Sequence, residues 1–337
     1  MLLIFYIMEL VITKKTISDR TDNYAFISYM ANDRDIKGVL TLNYNLTKVG
    51  SIYKYYVVII EKVSEHIRNV LKEHKINIVD IDFFSICKNF THNIPLIEKV
   101  ISKHYYGKYL IFSLYQFEKI IYLDTDLLLL ENIDHLFQLE TVDKNIYMAY
   151  DMQLAMSREN EPIIVFTKNG FNSGVIISKP NTILFELCYK LLLGMTIEEF
   201  DKINTDQDIL NNLVENSAIN CIPLNPKYNI PPSVVYDMIA YKFIDKPYII
   251  HYMLKPKPWD VLDAMAYGEN KGFYNNVSKH THKLWISTYM EMMEKHYFTS
   301  EQSRDRLYAK EYHYGNFLKD GKGISVDLCP LPKNTPI

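Results

Sequence analysis

The sequence predicts an α/β fold with a mostly parallel central sheet and helices on both faces. Three observations carry this. Short apolar, β-branched runs recur along the chain, helical stretches alternate with them, and one wholly apolar run ends in a pair of acids. Alternation of that kind builds βαβ units and hence a largely parallel sheet. Ligands of such sheets lie beyond the carboxyl ends of the strands.

Taken in order, Tyr24-Ala25-Phe26-Ile27-Ser28-Tyr29 reads as a buried strand, and residues 37–42 belong to the helix that follows it. Tyr55-Tyr56-Val57-Val58-Ile59-Ile60 is a second strand, residues 64–73 form an amphipathic helix, and Asn77-Ile78-Val79-Asp80-Ile81-Asp82 is a third strand. The spacing predicts a helix over 107–117, leading into the strand Lys119-Ile120-Ile121-Tyr122-Leu123, which aims at Asp124. Strands at Met148-Ala149-Tyr150 and Gly174-Val175-Ile176-Ile177-Ser178 follow, then a helix after Pro180 and another opened by Thr205 and Asp206. Pro226, Pro231 and Pro232 mark an irregular stretch, residues 283–296 read as a helix, and the tail is polar and ends in Pro330, Pro332 and Pro336. The expected division is an extension over 1–22, a catalytic domain over 23–260 and a helical addition with a tail over 261–337.

Bulk properties narrow the function. With 337 residues, 48% hydrophobic and 23% charged, the chain can bury a core large enough to offset the entropy of ordering it. A formal net charge of -3 gives no positive field for nucleic acid or anionic lipid, so any anion must be held locally. The four cysteines, Cys87, Cys188, Cys221 and Cys329, form no C-x-x-C pair, which argues against a thiolate zinc site and for a reducing, cytoplasmic setting. The apolar start, Met1-Leu2-Leu3-Ile4-Phe5-Tyr6-Ile7-Met8, is broken by Glu9. It is far shorter than the roughly 20 residues of a membrane span and lacks the marks of a signal peptide. A homodimer is compatible with the sequence.

The chemistry centres on Asp124-Thr125-Asp126. Asp-x-Asp is a weak signal alone, since Asp33/Asp35, Asp80/Asp82 and Asp206/Asp208 repeat it. The pair after Leu123 differs because an apolar strand precedes it and Leu127-Leu128-Leu129-Leu130 follows. Buried carboxylates are costly unless paired or metal-bound, and hard oxygen ligands suit Mn²⁺ or Mg²⁺ together with phosphate oxygens. The bland alternative is a turn and helix cap after a strand. His251, after Tyr248-Ile249-Ile250, is open to two readings, a core histidine or a ligand.

Four motifs in order extend the case: Tyr122-Leu123-Asp124-Thr125-Asp126, Phe171-Asn172-Ser173-Gly174-Val175, Asp206-Gln207-Asp208-Ile209-Leu210-Asn211, and His251-Tyr252 followed by Lys257-Pro258-Trp259. On these, residues 24–259 resemble the glycogenin-type members of glycosyltransferase family 8. The resemblance implies a GT-A, Rossmann-like fold and a Mn²⁺- or Mg²⁺-dependent, retaining transfer of a hexose. The donor would be UDP-glucose, UDP-galactose or UDP-N-acetylglucosamine, and the acceptor an unidentified hydroxyl.

Residue by residue, Asp124, Asp126 and His251 match the family's metal ligands, and Lys257 matches its diphosphate-binding lysine. Lys108 matches a donor-contacting lysine, and Asn32 a uracil-binding position, with Tyr29 a candidate to stack on the base. Thr125 belongs to the donor-binding turn, and Asn172 and Ser173 match the sugar-facing pair. Asp206 and Gln207 match the pair lining the reacting sugar, and Asp151 is a further candidate donor-site acid. Two positions depart from the pattern: Leu254 stands where glycine is common, and Asp35 where a base-stacking tyrosine is. Two other functions compete. A haloacid-dehalogenase-type phosphatase also has an apolar strand ending in Asp-x-Asp, although usually with Gly-Thr after it. A non-catalytic binding protein on the same fold is the other.

Overall fold

The computed structural model describes residues 23–156, 162–266 and 276–297. The extension over 1–22, Cys329 and the proline-bearing tail lie outside these. The apolar runs form strands β1 (Tyr24–Met30), β2 (Lys54–Ile60), β3 (Asn77–Ile81) and β4 (Lys119–Leu123), and these four pair in parallel in the order β3-β2-β1-β4. Between them run helices α1 (Ile36–Lys48), α2 (Glu65–Glu73), α3 (Phe83–Lys88) and α4 (Ile94–Ser102). The order in which strands are added switches side between β1 and β4, which opens a crevice at their carboxyl ends. Asn32 follows β1 there and Asp124 follows β4.

The remaining strands complete a seven-stranded sheet. β5 (Leu127–Leu129) leaves it, while β6 (Asn145–Met156), β7 (Pro162–Ser178) and β8 (Asn220–Leu224) extend it to the order β3-β2-β1-β4-β7-β6-β8. Only β7 runs against the others. α5 (Thr182–Leu193), α6 (Ile197–Phe200), α7 (Asp206–Glu215) and α8 (Val235–Ala240) follow, then β9 (Ile249–His251), α9 (Pro258–Ala266) and α10 (Asn276–Tyr297). β9 pairs antiparallel with β5, placing His251 opposite Leu127.

One local expectation is corrected. The helix expected over 107–117 is a 3₁₀ segment, Tyr105–Ser113. Every residue from Tyr106 to Phe112 is buried, so packing on all sides, and not an amphipathic stripe, sets the winding. The helix expected to open at Thr205 and Asp206 does so: Thr205 is the N-cap of α7 and Asp206 stands in its first turn. The Asp208 carboxylate accepts from the N–H groups of Asn204 and Thr205 at 2.8 and 3.0 Å, which leaves Asp206 to face inward, buried.

Two contacts fix the acid-bearing turn to its surroundings. Gly38 of α1 lies so close to it that a Cβ there would sit 2.5 Å from the Thr125 carbonyl oxygen and 2.9 Å from the Trp259 ring, so only glycine fits. α10 packs against α1 and into the same core as β1 and β2, through Trp285, Tyr289 and Met292. It also touches the segment after β9: the Tyr252 hydroxyl donates to the Thr281 carbonyl, His282 Nε2 lies 3.2 Å from the Pro256 carbonyl oxygen, and Trp259 packs on Trp285.

Candidate active site at the carboxyl end of the sheet

β4 ends in Asp124 because its apolar side chains bury the strand completely, so the first polar residue emerges at the rim of the core. The turn then places Asp126 just before β5, beside the end of β9, where its carbonyl accepts from the Tyr252 N–H at 3.0 Å. Asp124, Asp126 and His251 each offer one ligand atom there, all within 4.8 Å of one another. His251 Nε2 lies 3.2 Å from Asp126 Oδ1 and 3.7 Å from Asp124 Oδ2. The first distance is short enough for a hydrogen bond but out of line for one. Asp126 Oδ1 is therefore a buried oxygen with no donor.

A buried, unpartnered carboxylate oxygen is a costly feature, and it calls for a cation. Two carboxylates and one imidazole fit a hard divalent ion such as Mn²⁺ or Mg²⁺, with positions left for other oxygens. In this structure the nearest cation is the Lys257 ammonium. It contacts the second oxygen of Asp126 and the carbonyls of Tyr252 and Met253, the latter two at 2.9 and 3.0 Å. Burial alone would raise the Asp126 carboxyl, but the Lys257 ammonium outweighs it and holds the group well below the usual carboxylate range.

Beside this group lies a second buried network. The Lys108 ammonium is 3.0 Å from Asp124 Oδ1, 2.7 Å from Asp206 Oδ2 and 3.2 Å from Ser173 Oγ. Burial opposes its charge, yet Asp124 and Asp206 hold it above the ordinary lysine range. Ser173 Oγ donates to Asp206 Oδ2 at 2.7 Å, and the Tyr122 hydroxyl donates to Asp124 Oδ1 at 2.5 Å. Breaking a buried pair of this kind costs about 3–5 kcal/mol, because the surviving charge stays uncompensated. Gln207 joins the edge of the network: its Nε2 donates to Asp151 Oδ2 at 3.3 Å, and its Oε1 accepts from the Ser173 N–H at 3.4 Å.

The structure thus brings together Asp124, Thr125, Asp126, His251, Lys257, Lys108, Ser173, Asn172, Asp206, Gln207 and Asp151. The Lys108 ammonium is engaged by Asp124, Asp206 and Ser173. Tyr29 is only 7% exposed, its hydroxyl donates to the His104 carbonyl at 2.8 Å, and its ring lies against Gly107. That ring is part of the core and offers no open face to a base. Asn32 caps the turn after β1, its Oδ1 accepting from the Arg34 N–H at 3.0 Å. Three of the other Asp-x-Asp acids act locally: Asp33 accepts from the Ser64 N–H, Asp80 pairs with Arg68, and Asp82 caps α3.

Asn229 was invisible in the sequence. It lies inside the proline-marked stretch, is only 2% exposed, and its Oδ1 lies 2.8 Å from His251 Nδ1. Gly174 is needed for a related reason, since a Cβ at this position would lie 2.2 Å from His251 Cε1 and 2.5 Å from Nδ1. Gly174→Ala is expected to push the imidazole out of place. Mn²⁺ affinity by calorimetry should fall at least about tenfold, as for other changes that misorient a ligand. Thermal unfolding should show an overpacking cost of about 1–3 kcal/mol.

Asp35 sits beside this centre with a perturbed carboxyl. Burial and then repulsion from Asp126 push it up from 3.8 to about 6, against the opposing pull of Lys257 and Arg34. The folded chain therefore holds this proton more tightly than the unfolded chain. Its contribution to stability is full below 3.8 and is lost as pH rises through about 6. Asp35→Asn fixes a neutral group, so metal-free protein should gain about 2 kcal/mol at roughly pH 8, after allowance for solvent screening, and nothing near pH 3. Urea unfolding at the two pH values measures this.

Comparison with known proteins agrees with the geometry. Residues 21–263 match the family described as Glycosyl transferase family 8. Galactinol synthase 1 of Solanum lycopersicum is 26% identical over 260 residues, covering 73% of this chain and 77% of that protein. Glycogenin-1 of Caenorhabditis elegans is 27% identical over 256 residues, covering 73% of this chain but 53% of that protein, so the chain spans about half its length. The crystal structure of the galactosyltransferase LgtC with donor and acceptor sugar analogs aligns with a TM-score of 0.53 at 15% identity, over 79% of this chain and 95% of that one, a likeness of fold. Fold and motif order agree: the chain is a glycosyltransferase of GT-A architecture and belongs to glycosyltransferase family 8.

Proposed function

We propose that this enzyme moves a hexose from a UDP-sugar to a hydroxyl acceptor with retention of configuration, using Mn²⁺ or Mg²⁺ held by Asp124, Asp126 and His251. UDP-glucose, UDP-galactose and UDP-N-acetylglucosamine are the donors to consider. The observation that carries the reading is the convergence of three lone-pair donors, one of them the unpartnered Asp126 Oδ1, beside the Lys257 ammonium. When bound, the divalent cation supplies Lewis-acid stabilisation of charge on the diphosphate. Lys257 adds a point charge for the departing UDP.

In this reading Lys108 and Ser173 hold Asp206 in place, Gln207 and Asp151 flank the sugar, and the Nδ2 of Asn172 offers donors to its hydroxyls. Asp206 Oδ2 is already engaged by a hydroxyl and an ammonium. This favours attack by the acceptor on the face that UDP vacates over a covalent intermediate on Asp206. The new bond joins the acceptor oxygen to the anomeric carbon, the bond to phosphate breaks, and the acceptor proton leaves with the diphosphate. The catalytic domain in this proposal is 23–260, with 261–337 as an addition. The thiols Cys87, Cys188 and Cys221 suit a reducing, cytoplasmic setting, and no helix among the described residues is long and apolar enough to cross a membrane.

A panel of UDP-sugars with Mn²⁺, read by UDP release and by the intact mass of the protein, tests this. Release of UDP from at least one sugar is expected, and a mass gain would show self-modification. If calorimetry detects no UDP binding with Mn²⁺ present, the reading fails in favour of a chain that keeps only the fold.

A further inference from the structure

Resting on the metal site just proposed, a chain of three hydrogen bonds sets the protonation pattern of His251. It begins at a group whose polarity is fixed. The Gly174 backbone N–H can only donate, and Asn172 Oδ1 accepts from it at 2.9 Å. Asn172 is thereby oriented, so the group facing the same oxygen at 2.7 Å must be a donor, the Nδ2 of Asn229. Asn229 is oriented in turn, and its carbonyl Oδ1 is what meets His251 Nδ1 at 2.8 Å. A carbonyl only accepts, so Nδ1 carries the proton.

The Nε2 of a neutral His251 then presents its lone pair to the gap shared with Asp124 and Asp126. All three residues of the chain are buried, so water does not compete for these bonds. The backbone secures the same geometry. Ile230, the residue after Asn229, accepts from the His251 N–H at 2.8 Å and donates to the Ile249 carbonyl at 3.1 Å.

We propose that Asn229 is a positioning residue for the metal: it fixes His251 as the Nδ1–H tautomer and holds its ring so that Nε2 ligates. The amide does the work that a carboxylate or backbone carbonyl does behind other metal-bound histidines. An amide adds no charge behind the ligand, so it orients His251 without adding a third anion to the site.

The test titrates Mn²⁺ alone into the full-length wild type, Asn229→Ala, Asn229→Asp and His251→Ala by calorimetry. It also records the imidazole ¹H–¹⁵N spectrum of metal-free protein. Asn229→Ala is expected to weaken Mn²⁺ binding by about 10–100-fold and to remove a protected Nδ1–H signal present in the wild type. Asn229→Asp still accepts that proton, so its Mn²⁺ affinity should recover to within about fivefold of wild type. Its thermal stability should stay below wild type, because it has no donor for Asn172 Oδ1. A purely structural asparagine would lose affinity and stability together in both variants, which overturns the inference. If Asn229→Ala binds Mn²⁺ normally while His251→Ala does not, the inference falls and the metal site stands. If neither substitution changes Mn²⁺ binding, the metal assignment to His251 falls with it.

Discussion

Asp126→Ala is expected to abolish detectable transfer and to remove Mn²⁺-dependent binding of UDP. Asp126 is the acid on which the whole centre depends: it is buried, faces His251 through Oδ1, and contacts Lys257 through Oδ2. Losing it takes away one of three convergent ligand atoms and strands the Lys257 ammonium against two carbonyls. Lewis-acid stabilisation of a departing phosphate is worth several kcal/mol, on the order of 4, and each ~1.4 kcal/mol is tenfold in rate. Turnover should therefore fall by about three orders of magnitude or more, read as UDP release from the best donor of the panel. The fold should survive, since Lys257 is partly exposed and keeps the Tyr252 and Met253 carbonyls as acceptors. A variant that retained full turnover with bound Mn²⁺ would refute the assignment of this acid.

Lys257→Ala is expected to act in opposite directions on two measurements. The ammonium that the proposed reaction needs for the diphosphate sits on Asp126 and two backbone carbonyls, where it stands in for a cation. Binding of metal at Asp126 Oδ1 without nucleotide must tolerate that positive charge on the same carboxylate. Without Lys257 the repulsion is gone, so Mn²⁺ affinity measured in the absence of UDP should rise by about fivefold or more, equivalent to about 1 kcal/mol of interaction released. Turnover should fall by about a hundredfold or more, because a point charge on the departing diphosphate acts mainly in the transition state. Calorimetry with Mn²⁺ alone and steady-state rates with a UDP-sugar separate the two effects. A drop in both would make Lys257 part of the frame that builds the metal site.

Much of this centre was legible because its chemistry is local in sequence. The apolar run from Lys119 to Leu123 announced a buried strand, and Asp124 and Asp126 stand at its end as the spacing requires. His251 and Lys257 acquired meaning only in company, and the structure supplies the reason: β9 lies against β5, so residues more than a hundred positions apart share one gap. The reversed direction of β7 was not legible. Its last residues, Val175 to Ile177, are buried on both faces, and an apolar run of that kind carries no mark of chain direction. Asn229 was hidden differently, since it sits among prolines and lysines with no periodic pattern, and its partners, Asn172 and His251, are remote in sequence. Tyr29, a candidate in the sequence to stack on the base, is closed over by the 3₁₀ segment, which glycine at position 107 lets approach its ring.

The contacts between α10 and the Lys257 segment have a consequence for how the enzyme is made. Tyr252, Pro256 and Trp259 are held by Thr281, His282 and Trp285, and the matched family region ends at residue 263, before any of the latter. A chain cut after that region would be made with every motif residue but without the contacts that hold the Lys257 segment from behind.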